Sequence, residues 1–407
     1  MPCPYRSPMA SDTQPLAGLV VLELGQIYSG PYCALLLALH GAEVIKIESP
    51  QGDVLRRMDL SPGGASYPFL MLNANKRSVR IDLKQPRGCE LLLQLAERAD
   101  VLVENFATGV VERLGIDYGT AAARNPRLVY ASGSGFGSSG PYVGYPAMDF
   151  TIQALVGAMS ITGYPDQPPV KCGPTFIDML GAAHLFGGIL LALRDRERSG
   201  RGQRVEVAMF DAAVPTLLSY LAPFYELQRE MSRSGNRHVV GGATPYNNFP
   251  CTDGYVAILC VSDQHWLDLC RVMDRDDLAA VTRWHDVPGR AGERDVIEAE
   301  VSAWTAPQQR AEVARIVASA GVPSAPVRTI SEVGTDPHLF ERAVVREVET
   351  ASRGAVKVLG TPIKLSGAAE SAISAPPAIG QHTDEVLSRL LGLGPDQIAD
   401  LHAAAVI

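Results

Sequence analysis

The chain has 407 residues, a formal net charge of −8, 46% hydrophobic and 20% charged residues. That length allows two domains with sizeable cores, and the composition is that of an ordinary globular protein. The acidic balance argues against a nucleic-acid surface and gives no reason for attraction to anionic membranes, and no uninterrupted apolar run approaches the roughly 20 residues of a membrane span.

The opening MPCPYRSPMASDTQPL holds Pro, Ser and polar residues without the apolar core of a signal peptide, so residues 1–15 read as a flexible extension and the location as cytoplasmic. Leu19–Leu24 is a strand, followed by the loop GQIYSGP, a helical run from Tyr32 to His40, and a second strand over Ala42–Glu48. Strand, helix and strand at this spacing form a βαβ unit on a parallel sheet. Further strands are expected over Ser78–Leu83, Asp100–Phe106 and Leu128–Ser132, with Pro86 opening a helix between them. The expected architecture is a doubly wound, Rossmann-like large domain, and such domains bind ligands beyond the carboxyl ends of their strands. The residues at those ends are Tyr28, Ser29 and Gly30 after the first strand, and Ser49 and Pro50 after the second. Lys84 follows the third, Asn105 and Phe106 the fourth, and Gly133–Gly137 the fifth. These small, amide and cationic groups suit an anionic, nucleotide-like ligand, with Asn75–Arg77 and Arg113 adding positive charge. Turns need Gly and Ser in any case, so the loops by themselves are weak signals. Gly30 has no Lys-Ser or Lys-Thr of a P-loop beside it, and no GxGxxG follows the first strand, which disfavours an ATPase and a simple NAD enzyme.

Beyond Pro146 the pattern turns helical. Asp178 precedes an apolar run rich in small residues, ending in RDRERSGRG before an alternating strand over Gln203–Met209 and a helix from Asp211 to about Glu226. An acid in that place reads as a helix N-cap or as a chemically active carboxylate, and local sequence leaves both open. The polar stretch REMSRSGNRHVVGGATPYNN reads as a linker with a loop containing Gly235, Gly241 and Gly242. A second αβ unit follows around the turn at Asp253–Gly254. The expected divisions are 16–225 for the large domain, 226–245 for the linker, 246–335 for the small α/β domain, and 336–407 for a segment returning to the large domain. The seven cysteines are scattered with no CxxC pair, so neither a zinc site nor a disulfide framework is signalled, and no metal is expected.

Taken in order, VLELGQIYSGPYCALLLALHGAEVIKIE, NKRSVRIDLKQPRG, ADVLVENFATGVVERLG, NPRLVYASGSGFGSSGP, the Asp178 helix with RDRERSGRGQRVEVAMFDA, GNRH, TPIKLSG and GQHTDEVLSRLLG resemble the family III CoA-transferases. The resemblance covers Leu16 to Ile407 and lies nearer the oxalate- and dicarboxylate-using branch than the carnitine branch. It implies that Asp178 is a nucleophile carrying CoA as an aspartyl thioester. It also implies that coenzyme A contacts Tyr28, Ser29, Ser49, Lys84, Asn105, Phe106, Ala107 and Arg113. Tyr28 stands where formyl-CoA transferase has Gln, and Ser49 where it has Arg. A carboxylate with a reference pKa near 4 would be ionised at neutral pH and need no general base. Gly241 and Gly242 would cover the intermediates. The residues Arg237 and His238, with Arg233, read either as holders of the distal carboxylate of the substrate or as a solvated basic loop. The implied assembly is a homodimer of two interlocked, ring-like chains. The expected reaction moves CoA from a short donor such as succinyl-CoA or acetyl-CoA to a small dicarboxylic acid. Transfer between two carboxyls of one diacid is an alternative. Related 2-methylacyl-CoA racemases place a His before the acid matching Asp149, where this chain has Met148 and so lacks that base. A CoA-binding protein without turnover is the third reading.

Overall fold

Six short segments, several of them continuous apolar runs, pair into one parallel sheet. In a computed structural model, which describes residues 14–58, 65–239, 242–351 and 353–407, these are β1 (Val20–Glu23), β2 (Glu43–Glu48), β3 (Lys76–Arg80), β4 (Val101–Glu104), β5 (Val129–Ser134) and β6 (Arg204–Ala208). Their order is β3-β2-β1-β4-β5-β6, with every neighbouring pair parallel. The order reverses between β1 and β4, which makes that point the crevice where a doubly wound sheet receives a ligand.

Successive residues of a strand face opposite sides, and both sides are covered here. Leu22, Ile45, Val79, Leu102 and Tyr130 join a core with Leu91, Leu92, Leu93, Leu95, Val386, Leu387 and Ile398. Their neighbours Val21, Val44, Val101, Val103, Val129 and Ala131 face the Ser29–Leu39 and Phe176–Ser199 helices instead. The Phe176–Ser199 helix is long and apolar enough by composition to cross a membrane, longer than the sequence patterning suggested. One face lies in that core through Ala182, Leu185, Ile189 and Leu193, and close packing on β6 is set by Gly188, where a Cβ would stand 2.7 Å from Val205 Cγ1.

β3 begins two residues earlier than expected and ends at Arg80, because Lys76 is a strand residue and not a loop cation. The expected helix from Asp211 divides into Met209–Ala213, a 3₁₀ turn over Val214–Leu217 and Leu218–Leu227, as Pro215 supplies no backbone N–H to an α-helical ladder.

Contacts divide the chain into two units. The first holds the described residues of Met1–Ile152, Pro174–Pro215 and Pro337–Ile407, including an antiparallel hairpin of Val345–Thr350 with Gly354–Leu359. The second holds Gln153–Gly173 and Thr216–Asp336. Residues 153–173 and 216–225, assigned from sequence to the large domain, therefore group with the second unit. Val156, Ile161, Leu217, Tyr220, Leu221 and Phe224 line a shared cavity of about 210 Å³ there. The second unit's sheet is antiparallel, with Tyr246–Cys251 and Ser324–Pro326 pairing on either side of Gly254–Leu259. Its core gathers Phe249, Val256, Ile258, Trp266, Trp284 and Val313.

Candidate active site

The chain needs a left-handed residue and two glycines to turn from β1 into the Ser29–Leu39 helix. Ile27 has φ +67°. A Cβ on Gly30 would lie 2.8 Å from Gly25 Cα and 3.1 Å from Asn105 Oδ1, so the loop closes tightly on itself and on the end of β4. Asn105 holds Gln26 in both directions. Its Oδ1 accepts from Gln26 N–H at 2.8 Å, and its Nδ2 donates to the Gln26 carbonyl at 3.0 Å. Tyr28 forms the N-cap position and Ser29 the first residue of the helix, where the first turn carries no acidic side chain. A helix start with free N–H groups and no competing acid is a favourable place for an anion.

The remaining strand-end candidates sit where a Rossmann-like sheet requires them. Ser49 follows β2 and donates a long hydrogen bond to the Gly52 carbonyl, 3.4 Å. Lys84 is exposed in the turn after β3. Phe106 N–H donates to Glu104 Oε2 at 2.9 Å, the Ala107 carbonyl accepts from Val110, and Arg113 is exposed on the short Val110–Leu114 helix. Lys84 and Arg113 make no ion pair among the described residues, which leaves both available to an anionic ligand. The Asn75–Arg77 run contributes less than expected. Lys76 is buried on Glu23, 2.8 Å away, and Arg77 pairs with Glu43 and Glu385.

Asp178 reaches the same edge of the sheet on the Phe176–Ser199 helix, whose far end returns through Gly200 to the start of β6. It lies in the first helical turn, and Thr175 holds the N-cap position without a capping bond. The cap is Asp149. Its Oδ2 accepts from Ile177 N–H at 3.0 Å and from Asp178 N–H at 3.3 Å. The reading of Asp178 as an N-cap is thus replaced by a division of labour between two carboxylates. One turn beyond Asp178, on the same helix face, a Cβ on Gly181 would stand 3.3 Å from Ser29 Oγ. A side chain there would press on Ser29 and Met209, so the glycine lets the β1 loop lie close to the Asp178 face.

Burial, and secondly the negative charge of Asp149, push the Asp178 carboxyl up to about 7. The carboxyl thus lies well above the reference value near 4 on which the expectation of a fully ionised group at neutral pH rests. Asp149→Asn keeps an oxygen that can accept from the helix N–H groups but removes the charge. Asp178 is then expected to titrate at lower pH than in the unaltered chain, as read from ¹³C-carboxyl shifts of labelled aspartate. An unmoved titration would remove Asp149 as a cause.

The second unit holds the other candidates. Arg237 is not free for a substrate carboxylate: its guanidinium bonds Glu298 Oε2 at 2.6 and 2.9 Å and Asp295 Oδ1 at 2.6 Å. Arg233 is likewise engaged, donating to the carbonyls of Tyr164 at 3.0 Å and Gln167 at 2.6 Å. His238 packs on Tyr246 with ring centroids 5.9 Å apart. Gly241 lies outside the described residues, and Gly242 is exposed. Among the described residues no cluster of His, Cys, Asp or Glu has the makings of a metal site. The described cysteines are free thiols, and burial holds those of Cys33, Cys260 and Cys270 well above the usual range. Cys172 N–H donates to Gln153 Oε1 at 2.9 Å. His184 is exposed, its ring Nδ1 2.8 Å from the Leu180 carbonyl.

Sequence reasoning missed Asp149 as a participant, since 28 residues separate it from Ile177 and no local pattern links them. It also missed the buried charges beneath the β1 loop. Lys46 in the middle of AEVIKIE was the available signal, because a lysine inside an otherwise apolar strand requires a partner.

The profile of the family described as CoA-transferase family III matches residues 16–383. The succinyl-CoA:mesaconate CoA-transferase of Haloarcula hispanica is 36% identical over 395 residues, covering 94% of this chain and 98% of that protein. The formyl-CoA:oxalate CoA-transferase of Streptomyces coelicolor is 35% identical over 411 residues, covering 96% and 99%. Among solved structures, a CAIB/BAIF family protein from Brucella suis superposes with a TM-score of 0.83 at 32% identity, covering 93% of this chain and all of that one.

Proposed function

Because the chain belongs to CoA-transferase family III, we propose that it moves CoA from a short acyl-CoA, of the succinyl-CoA or acetyl-CoA type, to a small dicarboxylic acid through Asp178. The observation that carries this reading is Asp178 itself, a carboxylate in the first turn of a helix at the ligand edge of the sheet, titrating near neutrality. In its ionised form Asp178 attacks the donor thioester carbonyl, forming a mixed anhydride and expelling CoA as thiolate. The thiolate attacks the aspartyl carbonyl and releases the donor as its free carboxylate, leaving an aspartyl-CoA thioester. The acceptor carboxylate then attacks this thioester, forming a second anhydride and again freeing the thiolate. Attack of the thiolate on the acceptor carbonyl gives the new CoA ester and returns Asp178 as carboxylate. Two covalent stages replace one difficult displacement. Protonated Asp178 is no nucleophile, so turnover rises with pH through about 7.

In this proposal Tyr28, Ser29, Ser49, Lys84, Asn105, Phe106, Ala107 and Arg113 contact CoA, with Lys84 and Arg113 facing its phosphates. His238 and the Gly241–Gly242 loop remain assigned to the substrate, while Arg237 is withdrawn from that role by its own ion pairs. A dicarboxylate acceptor is supported by the relatives that use mesaconate and oxalate. A homodimer of interlocked chains and a cytoplasmic setting belong to the same reading. Racemisation is disfavoured by Met148, which offers no base beside Asp149.

The test supplies succinyl-CoA or acetyl-CoA with mesaconate, oxalate, malate and related diacids, and resolves the CoA esters by mass spectrometry. A new diacid-CoA ester with loss of donor is expected. If α-proton exchange of a 2-methylacyl-CoA in deuterated water occurs without any transfer, the proposal falls.

A further inference from the structure

Beneath the loop that carries Tyr28 and Ser29 lie two ammonium groups that face the loop's own backbone. Lys46 is 1% exposed and Lys76 3%. Lys46 Nζ stands 2.9 Å from Glu23 Oε1 and 2.9 Å from Asp53 Oδ2, and donates to the Gly25 carbonyl at 2.7 Å. Lys76 Nζ stands 2.8 Å from Glu23 Oε2 and donates to Asn73 Oδ1 at 2.9 Å and to the Pro31 carbonyl at 2.8 Å. Each end of the 25–31 loop is therefore fastened to a buried cation, and Glu23 joins the two. Between the fastenings, Ile27 N–H donates to Asp53 Oδ1 at 3.3 Å. Ile27 is β-branched and left-handed, a conformation that persists only where its surroundings leave the chain no alternative.

A buried ion group is a poor way to stabilise a core, since apolar side chains of like volume do as well or better. What apolar side chains cannot do is hold two particular carbonyls. With two cations and two anions the cluster is formally neutral, and its hydrogen bonds end on the loop. We propose that Glu23, Lys46, Asp53 and Lys76 are positioning residues that hold the 25–31 loop in its ligand-binding shape before CoA arrives. CoA then binds without having to order the loop, and less conformational freedom is lost on association. This inference rests on the assignment of the β1 loop to CoA.

The test uses the charge-balanced double variant Lys46→Met with Asp53→Asn, which leaves the Glu23–Lys76 pair and releases the Gly25 carbonyl. Titration calorimetry with CoA on the unaltered protein comes first; absence of binding there overturns the CoA assignment itself. Given binding, the double variant is expected to bind CoA at least ~10-fold more weakly. KM for succinyl-CoA should rise in step, while kcat at saturation stays within about 3-fold, because Asp178 is untouched. Unchanged CoA affinity in a folded variant overturns the positioning role, as does a fall in kcat with unchanged KM. Should the variant not fold, amide hydrogen exchange on the ligand-free native protein decides. Slow exchange at Gln26 and Ile27 supports a preformed loop; fast exchange that slows only on adding CoA rules it out.

Discussion

Asp178→Ala is expected to lose turnover by about 10⁴-fold or more while still binding CoA, because removing a covalent relay removes every stage of the reaction at once. The CoA candidates follow the carboxyl ends of β1, β2, β3 and β4, and only Asp178 comes from the helix that runs into β6. Binding and chemistry are thus divided between elements, and the two should separate in measurement. Incubation of the unaltered protein with acyl-CoA and hydroxylamine should leave a hydroxamate on Asp178, located by peptide mass spectrometry. Asp178→Ala should give no such adduct and an affinity for CoA close to that of the unaltered chain. A variant that keeps more than about 1% of turnover, well above the loss expected for a nucleophile, would sink the covalent role.

The second large effect is on stability and has the opposite sign. Asp178 titrates at about 7 in the folded chain, against about 3.8 for the ordinary carboxyl. A raised folded value favours the protonated form. Its contribution is fully present below about pH 4, diminishes as the unfolded chain ionises, and is lost once pH passes about 7. Above pH 7 the folded protein carries an unwelcome buried charge next to Asp149, which Asp178→Asn removes. The shift corresponds to on the order of 2–4 kcal/mol at pH 8.5. Asp178→Asn should therefore melt several degrees above the unaltered protein at pH 8.5 and progressively closer to it toward pH 5. Calorimetric scans at pH 5, 6, 7 and 8.5 measure this. A constant difference across the series would show that the gain does not come from ionisation. The same residue thereby sets activity against stability, as a nucleophile held in a partly buried site must.

Much of the sheet was legible because its strands are buried on both faces and read as apolar runs: VVLE, VLVE and the VYAS start of β5 fall within a residue or two of expectation. β3 was less legible for a specific reason. Its first residue, Lys76, looks like a solvated cation, and Glu23 across the sheet, with Asn73 Oδ1 and the Pro31 carbonyl, makes it an interior residue. The strand-end candidates followed from topology, since any doubly wound sheet presents those positions at one edge. Asp178 was identifiable as one of two things, a cap or a nucleophile. What decided the cap was Asp149, a residue remote in sequence whose carboxylate occupies the helix start. The roles expected of Arg233 and Arg237 failed on the same principle: their partners Glu298, Asp295 and the 164–167 carbonyls are distant along the chain, and charge in a sequence does not announce what already neutralises it.

The first unit is assembled from three separate stretches of chain, and its hydrophobic core takes in Val406 and Ile407, 1% and 2% exposed. Asp82 N–H donates to the Val406 carbonyl, and Ser78 N–H to His382. During synthesis, β1 to β6 would leave the ribosome long before the residues that seal one face of their sheet. That face stays open while some 190 further residues are made, a count that follows from β6 ending at Ala208 and the closing residues lying near 400. The apolar side awaiting residues 382–407 is therefore where a nascent chain would need shelter from its neighbours.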